Sequence, residues 1–448
     1  MPLARAAAPS QVLGPDQSPS PILARFAAQG TARRIATWCE AGLGATALPF
    51  FPFLVVVPRG VVPLISVTGL CAAGLVLSTG GPKPRLPLAL AAGLFGILLV
   101  WGMFSSLWSV DPLRSLIVAA RLAGLLAIGL ALAEAAEHVG APRRLNLLML
   151  AGFVLGVLMA AADLVTHGAV GAPFTDRAYQ AAGLNRASVS FAILLLPASA
   201  VLFCRGETIY ALMLALITAT VIYALSGTAA KGALLACLPA GAALYASRAR
   251  IARVTALASV LIIVTAPLTF AKLAQLPVFA QTADAVKLSA GHRLFIWSFA
   301  GDRVAERALT GWGLDASRAM PGGNDPIRPG QTWMPLHPHN AALQFWLELG
   351  ATGAVVFALL VALAWLSLAQ VEWPRPFAAA AGASLTAALI ASFASYGVWE
   401  EWWLSTLWFA LYAILVMGRI ARADTGRCVT SARPPSFTGG RSPSRSER

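Results

Sequence analysis

Runs of about 20 mostly apolar residues recur along nearly the whole chain, at 41–58, 61–79, 86–106, 114–134, 145–166, 187–204, 208–225, 229–246, 254–272, 345–369, 376–397 and 402–420. That is the length an α-helix needs to cross the hydrocarbon core of a bilayer, where every backbone N–H and C=O must be satisfied inside the segment. The pattern predicts an all-α, polytopic integral membrane protein with about twelve transmembrane helices. Composition agrees: 58% of residues are hydrophobic and 12% charged, against roughly 45–50% and 25% in soluble domains.

A net charge of +14 raises nucleic acid as a partner, but the basic residues fall in short clusters between apolar runs rather than on one soluble face. No nucleic-acid partner is expected; the partner these clusters fit is the lipid bilayer. Arg33 and Arg34, Lys83 and Arg85, Arg143 and Arg144, Arg205, Arg248, Arg250 and Arg253, Arg375, and Arg419 and Arg422 all fall on one side of a twelve-helix alternation. Cytoplasmic loops keep the positive charge, so that side is predicted to be the cytoplasm. The expected organisation is a disordered cytoplasmic tail over 1–38, helices 1–9 within 39–272, a large periplasmic loop over 273–344, helices 10–12 within 345–421, and a second disordered tail over 422–448. The first tail lacks the apolar core of a cleaved signal. The five cysteines have no metal-ligand spacing, and no structural disulfide is expected.

The large loop carries "AGHRLFIWSFAGDRVAERALTGWGLDASRAMPGG", where Leu294, Trp297, Val304 and Leu309 mark one or two amphipathic helices, closed by the turn-forming "TGWG" and "PGGNDP". Where the loop re-enters the membrane the chain reads "LHPHNAALQFWLELGATG": His337, His339 and Asn340 stand just before an apolar run, with Gly350 and Gly353 behind them. A histidine, an asparagine, nine residues and then Gly-x-x-Gly resembles the signature of the O-antigen ligase superfamily, in which Asn, Ser or Gln follows the histidine. The Thr-Thr pair often found next in ligases is Ala354-Val355 here, which leans toward the polymerases of that superfamily. "GHRLFIWSFA" is similar to its Arg-x-x-x-Trp signature through Arg293 and Trp297, "SVDPLRSL" to a stretch before the fourth helix, and "LNRASVSFAILLLP" to the start of the sixth, with Arg186 at its outer end. "LSGTAAKGALLA" matches a segment in which Lys231 replaces an arginine. The similarity covers about residues 40 to 420.

The resemblance implies a membrane glycosyltransferase of the bacterial inner membrane, with its active site facing the periplasm. The reaction it implies moves a glycan from undecaprenyl pyrophosphate to a hydroxyl of lipid A-core, with inversion and without a metal or other cofactor; a polymerase would use the same donor and a growing glycan as acceptor. The residue chemistry is compatible. Arginine binds phosphate through a planar fork of N–H groups, which makes Arg293 and Arg186, with Lys231, candidates for a pyrophosphate clamp. Arg121 lies about two turns inside the fourth helix, where an unpaired charge is expensive, and it joins the substrate-binding candidates. His339 is the candidate general base, since an imidazole takes a proton near neutral pH. Gly350 and Gly353, three apart on one helix face, would let a neighbouring helix or a lipid chain approach closely.

Plainer roles compete with these. His337 either shares the site with His339 or orients the loop. Asn340 is as good an N-cap as a substrate ligand. A His-x-His metal site lacks a third ligand nearby. In "YGVWEEWWLS" the tryptophans have the composition of an interfacial belt, although Glu400 or Glu401 could instead orient His339 or contact a sugar. Glu348 is expected to face the protein interior and pair with a cation such as Lys231 or Arg121. A lipid-linked glycan transporter also fits twelve helices and buried cations, but such proteins show repeated halves and none is visible here.

Overall fold

The computed structural model describes residues 21–175, 179–286 and 288–431, and nearly all of the apolar sequence in it is helical. In chain order the helices are α1 (Pro21–Ala47), α2 (Phe50–Val56), α3 (Val61–Ser78), α4 (Leu86–Phe104), α5 (Pro112–His138), α6 (Pro142–Val165), α7 (Asn185–Cys204), α8 (Thr208–Ala224), α9 (Thr228–Gln275), α10 (Pro277–Val286), α11 (Leu288–Glu306), α12 (Ala341–Gln370), α13 (Arg375–Ala394) and α14 (Glu401–Ser431). Prolines open α5 and α6, where the missing N–H would be unpaired anyway. Asp111 caps α5 by accepting from the Arg114 N–H. Thr68, Thr255, Thr265 and Ser367, inside apolar helices, return their hydroxyls to the carbonyl four residues earlier, which removes a polar group from the lipid-facing account.

Among the described residues, ten helices are long and apolar enough to cross a membrane, where the sequence pattern predicts about twelve. Two features account for the difference. Helix α9 is one 48-residue element broken at Ser247 (φ −151°, ψ 74°), and it contains two of the apolar runs. Helix α8 has 17 residues, about a turn less than a bilayer requires. The tails also differ from expectation. Residues 1–20 and 432–448 lie outside the described residues, but α1 already begins at Pro21 and α14 continues to Ser431. The stretch that opens α1 is rich in alanine and arginine and free of proline beyond Pro21, a composition that propagates a helix once a spanning helix has nucleated it.

The basic loops come together at one end of the bundle. Arg375 donates to the carbonyls of Tyr245 (2.5 Å) and Ala246 (2.8 Å), Arg419 to Val139 O (3.1 Å), and Arg143 pairs with Asp424. At the opposite end, here the loop face, the segment between α9 and α12 folds into α10, α11, a ribbon pairing β1 (Pro326–Arg328) with β2 (Gln331–Thr332), and a turn before it. Leu294 and Val304 are buried as the amphipathic pattern predicts. Leu309 is not part of that helix: α11 ends at Glu306 and Leu309 is 75% exposed in the following turn.

Candidate functional site

The site is built around the entry into α12. Asn340 has extended backbone and its side chain accepts from the Leu343 N–H at 3.1 Å, so it is the helix N-cap, satisfying a donor the first turn cannot. The residue before it, His339, has φ +53°. Histidine is one of the few side chains that visits this left-handed region, and two contacts hold it there. Its own N–H donates to His337 Nδ1 at 3.1 Å, and its Nδ1 lies 2.5 Å from Ser395 O. A carbonyl oxygen only accepts, so the proton of the neutral ring is on Nδ1 and Nε2 carries the free lone pair. His337 is the complement: its Nδ1 accepts, which puts its proton on Nε2, 3.7 Å from Glu400 Oε1. Of its two readings, orienting the loop is the one with a visible contact.

Helix α11 supplies the wall opposite. Trp297 Nε1 donates to Pro338 O at 2.9 Å and its ring meets Phe270 edge-on at 5.1 Å. The Arg-x-x-x-Trp spacing therefore has a mechanical meaning: Trp297 docks the helix on the histidine loop, and Arg293, one turn earlier, is brought beside the histidines. Burial pushes the His339 imidazole down to about 4, with Arg293 and His292 adding to the depression while Ser395 O and Glu400 oppose it. His337 is held well below the ordinary histidine range, first by burial and then by His339, Arg318 and Arg293. Both imidazoles are neutral at physiological pH. Burial also lowers the Arg293 guanidinium.

Other groups converge here that the sequence did not single out. Arg318 lies 3.9 Å from both Asp315 and Glu400, its Nε buried and without a hydrogen bond among the described residues. Burial raises the Tyr396 phenol to about 12 although Arg186 and Arg293 act against it, and its hydroxyl donates to Asn185 O at 3.1 Å. Arg186, at the start of α7, lies over the Trp402 ring at 5.2 Å. The signal for Arg318 and Tyr396 was weak: an arginine after a glycine-rich turn and a tyrosine at a helix end are common in loops.

Two further predicted ligands have partners of their own. Arg121 pairs with Glu401 at 2.9 Å, which answers the cost of a charge within α5. Lys231 lies over the Tyr223 ring at 5.2 Å. The tryptophans of the last loop do not form a lipid-facing belt: Trp402 and Trp403 are buried, Trp402 donates to Glu400 Oε2 at 2.6 Å, and Trp399 donates to Glu348 Oε2 at 2.5 Å.

The glycines also do something other than thin a helix face. Gly350 has φ +63° and ψ −158°, a region essentially closed to side-chain-bearing residues, and it breaks α12. The turn after α11 fills the break: Trp312 N donates to Leu347 O and Gly313 N to Glu348 O, both at 2.9 Å, and Ala351 N donates to Ala308 O at 2.8 Å. Trp101 Nε1 takes Leu349 O at 2.9 Å. The carbonyls freed by the break are thus satisfied by one docked turn and one indole. A Cβ on Gly350 would lie 2.3 Å from Leu309 O, while one on Gly353 would meet its own helix's Leu349 side chain. Glu348 is fully buried and pairs with no cation among the described residues; it accepts instead from Asp315 N, Ser317 Oγ, Gln344 Nε2 and Trp399 Nε1.

Fold and site together define a polytopic helical membrane protein with a histidine and arginine cluster at one end of its bundle. Residues 212–358 match the family model described as O-antigen ligase, a segment that contains Lys231, Arg293, Trp297, His339 and the break at Gly350. Three curated relatives from Rickettsia carry the name "Putative polysaccharide ligase". The one from Rickettsia felis is 26% identical over 72% of this chain and 79% of its own, and that from Rickettsia prowazekii 26% over 71% and 78%. The one from Rickettsia conorii is 33% identical over a shorter stretch, 31% of this chain and 34% of its own length. Over these stretches the chain is similar to the O-antigen ligase family of membrane enzymes.

Proposed function

We propose that this protein transfers a glycan from undecaprenyl pyrophosphate to a hydroxyl of lipid A-core at the periplasmic face of the bacterial inner membrane, with inversion and with His339 as general base. The observation that carries the reading is the tautomer of His339: Ser395 O fixes the proton on Nδ1 and leaves Nε2 free to accept one. In the reaction Nε2 takes the proton of the acceptor hydroxyl and its oxygen bonds to the anomeric carbon. The bond from that carbon to the pyrophosphate oxygen breaks, and the electron pair leaves with the lipid pyrophosphate. Arg293 and Arg186 stabilise the charge that develops on it. The low proton affinity of His339 is coupled to the donor. Arg293 is among the groups depressing it, and a pyrophosphate seated on Arg293 neutralises that influence and adds an anion, which moves the imidazole toward the range in which a base works best. Arg121 and Lys231 are further substrate-binding candidates, held by Glu401 and Tyr223, and His337 and Asn340 act on the loop.

A polymerase that passes the same donor to a growing glycan would use the same residues; Ala354-Val355 in place of the Thr-Thr of many ligases favours it, and the names of the relatives favour the ligase. Gel analysis of lipopolysaccharide and lipid-linked glycan decides, in cells lacking the protein and complemented with wild type or His339→Ala. Long glycan on the lipid carrier with bare lipid A-core, restored by wild type alone, is the ligase outcome. A single repeat unit on lipid A-core is the polymerase outcome, and full complementation by His339→Ala refutes the base.

A further inference from the structure

Glu348 has no part in the mechanism above, yet its surroundings are the most specific polar arrangement in the described residues. Oε2 accepts from the Asp315 N–H at 2.6 Å and the Trp399 indole at 2.5 Å. Oε1 accepts from Gln344 Nε2 at 3.0 Å and lies 2.5 Å from Ser317 Oγ. The Gln344 amide is oriented by its other contact, in which Oε1 accepts from the Val398 N–H at 3.0 Å, so its NH2 must face Glu348. Three of the four partners are therefore fixed donors, and the fourth is a hydroxyl that can turn. Only an acceptor-only group with about four lone-pair sites fills such a cage, and a carboxylate is the one side chain of that kind.

The partners come from three separate segments. Gln344 and Glu348 are one turn apart on the first half of α12. Asp315 (φ +54°) and Ser317 belong to the turn that carries Arg318, and Asp315 is held on its far side by Arg114 at 2.6 Å. Val398 and Trp399 belong to the loop that carries Ser395, Tyr396 and Glu400. Arg318 and Glu400 then meet at 3.9 Å, and Glu400 reaches His337 at 3.7 Å; His337 in turn receives the His339 N–H. A path of named contacts runs from the buried carboxylate through two loops to the histidine pair.

We infer that Glu348 is a positioning residue for glycan transfer, acting through the Arg318-bearing turn and the Glu400-bearing loop that it clamps to α12. This deepens the transfer reaction proposed above and rests on it. The neutral substitution Glu348→Gln keeps the volume but turns an NH2 toward the Gln344 NH2, and two donors cannot satisfy each other. One arm of the cage is lost, and the loops on either side of His337 loosen. Misplacement of about 1 Å in a positioned site lowers turnover on the order of 10²-fold.

The test is a double-mutant cycle on the full chain in lipid nanodiscs, with Glu348→Gln, Glu400→Gln and the pair, reading kcat and KM for transfer from a synthetic undecaprenyl-pyrophosphate glycan. If Glu348 acts through Glu400 the losses in kcat overlap, and the pair is about as slow as Glu348→Gln alone. Losses that multiply overturn the inference, because residues working independently add in free energy. Should Glu348→Gln fail to fold as judged by its melting curve, Trp399→Phe removes a single donor from the cage, and the same cycle is run with it under the same criterion. His339→Ala is measured beside them. If it retains full transfer, the base assignment fails, while the overlap or independence of the Glu348 and Glu400 effects still decides the positioning role.

Discussion

Replacing Gly350 by alanine tests how the site is fixed to the membrane-spanning bundle. The residue has φ +63° and ψ −158°, and a side-chain-bearing residue in that region costs about 1–3 kcal/mol. The added Cβ would also lie 2.3 Å from Leu309 O and 2.5 Å from Leu309 C. These are backbone atoms, so no rotamer change relieves the contact and the docked turn must move away. Two hydrogen bonds, from Trp312 N to Leu347 O and from Gly313 N to Glu348 O, are then stretched or lost, at roughly 1 kcal/mol each and more if the carbonyls stay buried. The sum is on the order of 3–5 kcal/mol, within the tail reserved for a few mechanisms. Thermal unfolding in detergent, followed by reaction of a thiol dye with buried Cys237, measures it. Gly96→Ala is the control, because it lies in α4 and its Cβ would meet nothing within 4 Å; it should be neutral or slightly stabilising. Gly350→Ala melting like Gly96→Ala would refute both the strain argument and the docked turn.

Asn340→Ala should destabilise by about 1 kcal/mol through loss of the N-cap, with Asn340→Asp keeping most of it; the same melting assay checks both. Trp297→Phe removes the donor to Pro338 O and should lower transfer by more than its stability loss of about 1 kcal/mol explains, read as activity at matched folded fraction. Stability should also depend on pH through His339. Its folded value of about 4 lies below the usual 6.5, so between these values the unfolded state binds more protons. Stability is then fully present above about pH 6.5 and is lost as pH falls toward 4, and the wild-type decline over that window should be steeper than that of His339→Gln.

The sequence made the spanning helices legible because a bilayer filters composition as well as pattern: runs of apolar residues have few alternatives. It located His339, Arg293 and Trp297 through a spacing, and the structure brings those three together. What it could not give were contacts between segments far apart in the chain. A carboxylate in an apolar run usually seeks a cation, but the partners of Glu348 are the Gln344 amide one turn away on its own helix and an indole, a hydroxyl and a backbone N–H from two other loops. The pairing of Arg121 with Glu401, 280 residues away, is likewise invisible to any local pattern. Gly350 and Gly353 were grouped by their three-residue spacing, yet only a dihedral angle tells a helix-breaking glycine from a helical one.

That break gives the nine residues between Asn340 and Gly350 a physical reading. Asn340 starts the helix by capping it, and Gly350 ends its first half by leaving helical space. The interval of 341–349 is about two and a half turns, or roughly 13 Å of rise. Both ends are pinned to other parts of the protein, the first through His339 to Ser395 O and the second through the turn at 308–313. Between them Gln344 and Glu348, four apart, share a face and must point at Val398, Trp399, Asp315 and Ser317. One residue more or fewer would rotate one end against the other by about 100°, and the cap, the carboxylate cage and the break could not all meet their partners. The spacing is therefore a length and a phase: it sets how far the histidine stands from the point where α12 turns into its spanning half, and on which side of the helix the buried carboxylate lies.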